Sequence, residues 1–226
     1  MNPAIPDYIN LAFTLTTLYG IWLFKKAFNP SQTTFLLLFV WLALQAYLSY
    51  SGFYKDTTTI PPKFILAVMP TSMVILVFFI SKRGKAFMDG VSLEAMLWIH
   101  TIRIPVEIIL WSLFIAEQLP KIMTFGGRNY DIIAGLTAPI LVYYGTRKPI
   151  IDRERMLLWN FLCLFLLLNV VVMAILSVAS PFQQLGFDMP NKAILEFPFV
   201  WLPSFIVPLV LFSHLVSIRQ LLKKKL

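Results

Sequence analysis

A histidine, an arginine and a glutamate lie close together inside the otherwise apolar segment 98–111. At about 100° per residue of an α-helix, His100, Arg103 and Glu107 fall within roughly 60° of one another and share one helix face. Such groups can bind a ligand, exchange a proton or form an ion pair. Arg103 and Glu107 are four residues apart, and this spacing predicts an ion pair between them with His100 alongside.

This polar face must be accommodated in apolar surroundings. A charge at the centre of a bilayer costs about 2.5 to 3.5 kcal/mol on insertion scales, so the three side chains are expected to face the bundle interior. Pro105 lacks an N–H and obstructs the carbonyl of Thr101, which predicts a kink beside His100. Two hypotheses follow: an ion pair that only locks helix packing, or a functional intramembrane site, the default interpretation of such residues.

The composition places the chain in a membrane. Hydrophobic residues make up 58% of the 226 residues and charged residues only 13%, whereas soluble proteins have about 25% charged residues. The apolar runs are long enough to cross roughly 30 Å of hydrocarbon, and they lack the alternation of barrel strands. The predicted fold is an all-α integral membrane protein, a seven-transmembrane-helix bundle forming one domain, with spans at about 8–24, 33–53, 62–80, 91–119, 129–145, 155–178 and 194–218.

Basic residues at the ends of the apolar runs predict the orientation. The positive-inside rule assigns the connections richer in Lys and Arg to the cytoplasm. One side collects Lys25, Lys26, Lys82, Arg83, Lys85, Arg147, Lys148, Arg153, Arg155, Arg219, Lys223, Lys224 and Lys225, and the other collects Lys55, Lys63, Lys121, Arg128 and Lys192. This asymmetry predicts an outside N-terminus and a cytoplasmic C-terminus. The net charge of +8 therefore indicates topology rather than nucleic-acid binding.

Uncharged polar residues in other predicted spans lie at a depth similar to that of the charged pair. With a helix rise of about 1.5 Å per residue, four polar positions fall within roughly two turns of the membrane midplane: Gln45, Thr137, Asn169 and either Thr14 or Thr17. The shared depth predicts a polar cavity. The alternative is that these side chains form structural hydrogen bonds between helices, each worth about 1 kcal/mol.

Prolines interrupt the seventh predicted span at regular intervals. Pro198, Pro203 and Pro208 are five residues apart, so the segment cannot be a regular helix throughout. Broken helices at membrane depth are tolerated where they line a cavity. Together with Pro105, these prolines are the predicted hinges.

A second histidine supports an alternative function. His214 is predicted near the cytoplasmic end of the seventh span, roughly 6 Å deeper than His100. The two could ligate a b-type haem or, with Glu107, a divalent metal in a membrane-embedded enzyme. The depth mismatch and the roughly 10 Å between His100 and Glu107 along their helix disfavour this hypothesis. The sequence has no H-E-x-x-H, G-x-S-x-G or P-loop motif, so no catalytic residue is assigned.

The favoured hypothesis is a protein of the bacterial cytoplasmic (inner) membrane that binds, and in one version transports, a small polar or amphiphilic ligand. Arg103 would attract an anionic group or keep Glu107 charged, Glu107 would respond to protons, and His100 would couple occupancy to pH. Gln45 and Asn169 complete the predicted ligand site. The expected partners are the bilayer and a small-molecule or lipid-like ligand, with no cofactor, while oligomerisation is left open.

A third hypothesis is a structural or sensory subunit. Its short connections and its basic tail, residues 223–225, would then dock a partner protein.

Overall fold

The computed structural model describes residues 5–223 as an assembly of helices, with no β-strand in that range. The all-helical prediction is therefore confirmed. Lys224 and Lys225 of the predicted basic tail lie outside the described residues. The α-helices of this range are α1 Asp7–Phe28, α2 Gln32–Tyr50, α3 Ile65–Ile80, α4 Lys82–Gly90, α5 Leu93–Ile99, α6 Arg103–Ile115, α7 Ile132–Leu141, α8 Arg153–Leu176 and α9 Val207–Lys223.

Several of these helices have the length and composition of membrane spans. Within residues 5–223, four are long and apolar enough: Gln32–Tyr50, Leu93–Ile115, Arg153–Leu176 and Leu202–Lys223. A fifth candidate is α3 together with α4, which meet at a bend of 90°. Large apolar side chains cover the outer surface, where Leu36 is 63% and Phe165 68% exposed. Such an exterior suits hydrocarbon and is compatible with a membrane location.

The fourth apolar segment is one helix with an irregular centre. Helices α5 and α6 are joined by the 3-10 turn His100–Ile102. Pro105 lies in the first turn of α6, where a missing N–H costs little. The disturbance predicted around Pro105 thus takes the form of a tightened turn just before the proline, and the helix ends at Ile115 rather than at residue 119.

The last apolar segment is irregular in its first half, as its prolines predict. A 3-10 turn at Ala193–Leu195 is followed by turns and then by the π-helical turn Leu202–Ile206, and only then does α9 begin. Pro203 lies within the π-helical turn and Pro208 in the first turn of α9. The helix therefore starts later than the predicted residue 194.

The last helix runs through the middle of the bundle. Of the residues in its most apolar window, 61% are buried, against 17% in α2. It packs against α3, α4, α5 and α8, while α1 packs against α5 and α6. The polar residues of α6 and α9 are consequently held in the interior, where each needs a hydrogen-bond partner.

Candidate functional site

Arg103 is the centre of a buried hydrogen-bond network that joins four helices. Its Nη1 donates to Asp131 Oδ1 at 2.9 Å and to the carbonyl oxygen of Cys163 at 3.3 Å. Its Nη2 donates to His214 Nε2 at 2.8 Å. Asp131 directly precedes α7, Cys163 lies in α8 and His214 in α9. One guanidinium on α6 thus ties together three neighbouring elements.

The predicted ion pair between Arg103 and Glu107 is wrong, because Arg103 pairs with Asp131. Helical spacing shows which residues share a face, but the partner is decided by what the adjacent helices present. The planar guanidinium has several donors in a fixed fork, and Asp131, a backbone carbonyl and an imidazole together satisfy more of them than one glutamate of the same helix could. Glu107, one turn further along α6, is held by a different residue.

Glu107 accepts hydrogen bonds from Asn129. The Asn129 Nδ2 group lies 2.7 and 2.8 Å from the two carboxylate oxygens of Glu107 and also donates to the Met123 carbonyl at 3.0 Å. Its Oδ1 accepts the backbone N–H of Asp131 at 3.0 Å. These contacts fix the orientation of the amide. Glu107 is 1% exposed and forms no salt bridge with any residue in the range 5–223.

The partners of His214 determine its tautomer. The amide nitrogen of Asn160 donates to the Met156 carbonyl, so Asn160 Oδ1, 3.0 Å from His214 Nδ1, is an acceptor. Nδ1 must therefore carry the proton, and Nε2 accepts from Arg103. His214 is a neutral imidazole with both ring nitrogens used. Its place in the network is structural.

His100 stacks on His214, with ring centroids 4.0 Å apart. Its Nε2 lies 3.3 Å from the Ser213 hydroxyl, which donates its only proton to the Val210 carbonyl at 2.8 Å. Nε2 therefore donates to Ser213, and the lone pair on Nδ1 has no hydrogen-bond partner within residues 5–223. His100 is fully buried, so it too is held as a neutral ring.

A cavity of about 100 Å³ lies beside this network, between α3, α6, α8 and the last apolar segment. A volume of roughly 10 to 15 Å³ is enough for one water, so the cavity can hold several waters or a small organic group. Apolar side chains form nearly all of its wall, including Ala67, Leu110 and Val170. The charged residues that reach it within the described range are Arg103, Glu107 and Asp131.

The charges at the cavity do not balance. Arg103 and Asp131 neutralise each other through their salt bridge. Ionised Glu107 would leave a formal charge of −1 in an apolar interior, where an uncompensated charge is costly. We therefore expect Glu107 either to be protonated or to bind a ligand that has a positive charge and N–H donors.

The structure brings two of the five predicted ligand residues, Arg103 and Glu107, to this cavity. His100 stacks on His214, the partner of Arg103, but it lies outside the cavity wall, as do Gln45 and Asn169. The Tyr54 hydroxyl donates a hydrogen bond to Gln45 Oε1 at 2.7 Å, and Tyr54 itself lines the cavity. Asn169 donates to the Arg128 carbonyl at 3.0 Å near one end of the bundle. Each thus has a local structural partner.

The threonines of the predicted polar layer bond to their own helices. Thr14, Thr17 and Thr137 each donate to the carbonyl oxygen four residues earlier. Thr137 also accepts from the indole N–H of Trp159 at 2.9 Å. Thr137 therefore forms a structural hydrogen bond between helices, as the alternative predicts. None of the three threonines lines the cavity.

The predicted depth mismatch between the two histidines is wrong, since their rings stack. The later start of α9 accounts for the error, because the span midpoint moves toward the C-terminus. The haem or metal alternative still lacks a suitable donor set: His214 uses both nitrogens in hydrogen bonds. Within residues 5–223, no three His, Cys, Asp or Glu side chains are grouped closely enough to hold a metal ion.

Of the predicted hinge prolines, Pro203 lines the cavity from the π-helical turn. Pro105 and Pro208 lie in the first turns of α6 and α9, and Pro198 precedes the helical part of the last segment. π-helical turns occur frequently at functional sites. The hinge role of these prolines stays a prediction.

Sequence reasoning missed the two residues that hold Arg103 and Glu107 in place. Asn129 and Asp131 lie in the polar segment 125–131, which leads into the fifth predicted span. Both are buried, at 0% and 4% exposure. A signal was present, because a loop with a carboxylate and an amide next to an apolar helix offers partners for buried charges. Asn160 in α8 was missed as well.

Comparison with known proteins gives a family but no activity. A family model described as "Domain of unknown function (DUF8737)" matches residues 60–222. No curated protein and no solved structure matches the chain. The matched range contains the whole Arg103 network and all of the cavity wall except Tyr54. Since the match covers well over half of the 226 residues, the chain belongs to the DUF8737 family.

Proposed function

We propose that the chain is a seven-span membrane protein that binds a small amphiphilic ligand in the cavity beside Glu107. The observation that carries the proposal is a buried carboxylate with no salt bridge in the described range, at the polar end of an otherwise apolar cavity. Intramembrane ionisable residues are rare and costly, and by default they mark a ligand or ion site. Here Arg103 and Asp131 support the site, while Glu107 is the group that meets the ligand.

The chemistry of the wall defines the ligand class. An ammonium or another cationic N–H donor would neutralise Glu107 and add charge-assisted hydrogen bonds. The rest of the ligand would lie against apolar residues such as Leu110 and Val170. An engineered apolar cavity of about 150 Å³ holds benzene, so the ligand, or the part of it that enters, has only a few non-hydrogen atoms.

The proposed route to the site leads sideways from the bilayer. Ile175 on α8 is 39% exposed, yet it lines the same cavity as Glu107, which is 1% exposed. One residue of the cavity wall, near the end of α8, is thus also exposed on the outer surface of the bundle. A lateral opening at this point, which is part of the proposal, would suit a ligand that partitions into lipid. Pro203 on the opposite wall would let the π-helical turn adjust, which a transport role would require.

The seven-span topology, with the N-terminus outside, extends the four or five spans found by length and composition. Support comes from α1, with 22 residues, and from α7, which continues through a π-helical turn to Arg147. The clustering of basic residues at one end supports the orientation. With this topology the cavity lies in the outer half of the membrane, since Tyr54 and Ile194 in outer connections line it.

The test uses two small probes with the same alkyl chain, one with a cationic and one with an uncharged head group. Thermal unfolding of the purified chain is followed with butylammonium or with butanol, because a ligand of the native state raises the unfolding temperature. Butylammonium is expected to stabilise the wild type at a concentration at least about tenfold lower than butanol does, as about 1.4 kcal/mol of charge pairing would give.

The Glu107→Gln variant keeps the shape of the side chain and should remove the difference between the two probes. The control Glu154→Gln removes an exposed carboxylate at the start of α8 and should retain it. Equal stabilisation of wild type and Glu107→Gln by butylammonium would refute the proposal.

A further inference from the structure

We propose a second site, for the acyl chain of an anionic phospholipid, at the opposite end of the bundle. A cavity of about 530 Å³ lies between α1, α2, α3, α4 and the last helix. It shares none of its lining residues with the cavity beside Glu107. The inference rests on the membrane location of the chain, but it does not depend on a ligand at Glu107.

The wall of this second cavity is rich in aromatic rings. Phe28, Phe78, Phe87 and Phe212 all line it and contact one another, with ring centroids 5.3 to 6.0 Å apart. These rings come from α1, α3, α4 and α9. Trp41 closes another side and donates its indole N–H to the Ser204 carbonyl at 3.0 Å. Such a wall offers extended apolar contact to an alkyl chain.

Helix α4 supplies the charge. It turns through 90° relative to α3, so if α3 crosses the bilayer, α4 lies along its surface. Lys82, Arg83 and Lys85 are exposed on α4 and form no ion pair with any residue in the range 5–223. The acid of the same helix, Asp89, is already bound to two cations of α9. Helix α4 therefore presents three uncompensated positive charges.

The cavity also has a polar edge. Asn29 and Ser31, from the turn between α1 and α2, line it together with Thr34 in the first turn of α2. Nearby, Lys25 lies over the Phe35 ring, 5.8 Å from the centroid. An apolar pocket bordered by hydroxyl, amide and ammonium groups matches an amphiphile with an anionic head. Basic surface helices bind anionic lipids through this combination of apolar area and charge.

The occupant is inferred to be a lipid rather than a protein segment because of charge complementarity. Anionic lipids of the cytoplasmic leaflet attract Lys and Arg near the membrane surface. The basic end of this bundle is the predicted cytoplasmic end. A phospholipid there would place its phosphate near α4 and Lys25 while its chain reaches Phe78 and Phe212 in the cavity.

The experiment measures lipid contact through Trp41. The full chain in an uncharged detergent is titrated with phosphatidylglycerol or phosphatidylcholine, each brominated in the middle of its acyl chains, and tryptophan quenching is recorded. Subtraction of the Trp41→Phe variant isolates the Trp41 signal. We expect half-maximal quenching at an about tenfold lower fraction of phosphatidylglycerol, since each nearby cation contributes to anionic-lipid binding.

Two sets of variants make the result specific. The triple change Lys82→Gln, Arg83→Gln and Lys85→Gln should abolish the preference for phosphatidylglycerol. The matched triple change Lys121→Gln, Arg128→Gln and Lys192→Gln removes the same charge at the other end and should keep it. Thr71→Phe, which fills the cavity, should reduce quenching by both lipids.

The proposal is overturned if both lipids quench equally, if the two triple variants behave alike, or if Thr71→Phe leaves quenching unchanged. Glu107→Gln is expected to have no effect in this assay. Failure of the lipid site can thereby be distinguished from failure of the proposed ligand site.

Discussion

At the scale of single residues, the two charges of α6 have different functions. The Nη1 and Nη2 groups of Arg103 donate to Asp131, Cys163 and His214, while its buried Nε has no partner within residues 5–223. Glu107 faces the cavity with only an amide as partner. The two hypotheses, a packing ion pair and a functional site, therefore apply to different residues. The packing role fits Arg103 with Asp131, and the functional role is proposed for Glu107.

The structural role of Asp131 leads to a stability prediction. Asp131→Asn removes the counter-charge of Arg103 and leaves a buried guanidinium without an anion. Breaking a buried pair in this way typically costs about 3 to 5 kcal/mol, and we expect a loss of that size in the free energy of unfolding. Denaturant unfolding in mixed micelles measures it. The exposed Asp188→Asn serves as control, and an equally small effect of both changes would contradict the assigned role.

The sequence indicated which polar side chains need an interior position better than it indicated their partners. His100, Arg103 and Glu107, which helical spacing placed on one face, are all buried, and Arg103 and Glu107 line the same cavity. Their hydrogen-bond partners come from a loop and from other helices, at sequence separations of 22 to 113 residues. Pairing across such distances depends on helix packing, which no local pattern encodes. Asn129 and Asp131 could therefore be suspected from their residue types but not assigned.

At the scale of elements, apolar runs located the helices well, and prolines marked the irregular parts. The predicted span 155–178 corresponds to α8, Arg153–Leu176, and the span 33–53 to α2, Gln32–Tyr50. The last segment was placed too early, because its composition is apolar from residue 194 although Pro198 and Pro203 delay the helix. Because the helix starts later than predicted, its midpoint is nearer to His214, and the predicted depth of His214 was too close to the cytoplasmic end.

Helix α4 was not predicted as a separate element. Its basic residues were interpreted only as a topology signal, yet they form a short helix fixed to α9. Arg219 binds Asp89 through two hydrogen bonds of 2.9 and 3.0 Å, and Lys223 binds it at 2.5 Å. Ser81 caps the helix by accepting the N–H of Gly84. Gln220 of α9 also donates to the carbonyl oxygens of Met88 and Val91, so the Asp89 ion pairs are one part of the polar contacts that dock α4.

The Asp89 contacts predict how this docking depends on pH. Hydrogen bonds from Arg219, then from Lys223, hold the pKa of Asp89 below its ordinary value. A carboxyl whose folded-state pKa is lowered contributes stability above its unfolded pKa, and that contribution is lost as pH falls through the folded value. Docking of α4 should thus be intact at neutral pH and weaken only below about pH 4.

The distance between spin labels at Ala86→Cys and Leu222→Cys, in a Cys163→Ala background, measures this docking. Asp89→Asn should broaden the distance distribution at every pH. A wild-type distribution that broadens already near pH 6, or an unaltered one in Asp89→Asn, would contradict the assignment.

At the scale of the whole molecule, the two cavities lie toward opposite ends of the bundle. The first is bordered by residues of the connections on the predicted outer side, and the second by the turn between α1 and α2 and by α4 on the basic side. The last helix contributes to both, through Val210 to the first and Phe212 to the second. An adjustment of this helix would consequently reach both cavities.

The proposed orientation predicts which positions are accessible from each side of the membrane. In a Cys163→Ala background, Lys121→Cys should react with an impermeant thiol reagent in intact cells. Lys148→Cys should react only after lysis. Both positions are exposed, so the order of labelling reports the side of the membrane rather than burial. The reverse order would overturn the orientation, and labelling of both in intact cells would contradict the span count.

The central claim is that Glu107 holds a ligand, and native mass spectrometry of the gently solubilised protein tests it most directly. We predict a small cationic or amphiphilic molecule bound to the wild type and to Glu154→Gln, and its loss in Glu107→Gln, whose cooperative thermal unfolding shows that this variant is still folded. Wild-type protein that carries no small molecule, or a bound molecule that survives Glu107→Gln unchanged, would contradict the account.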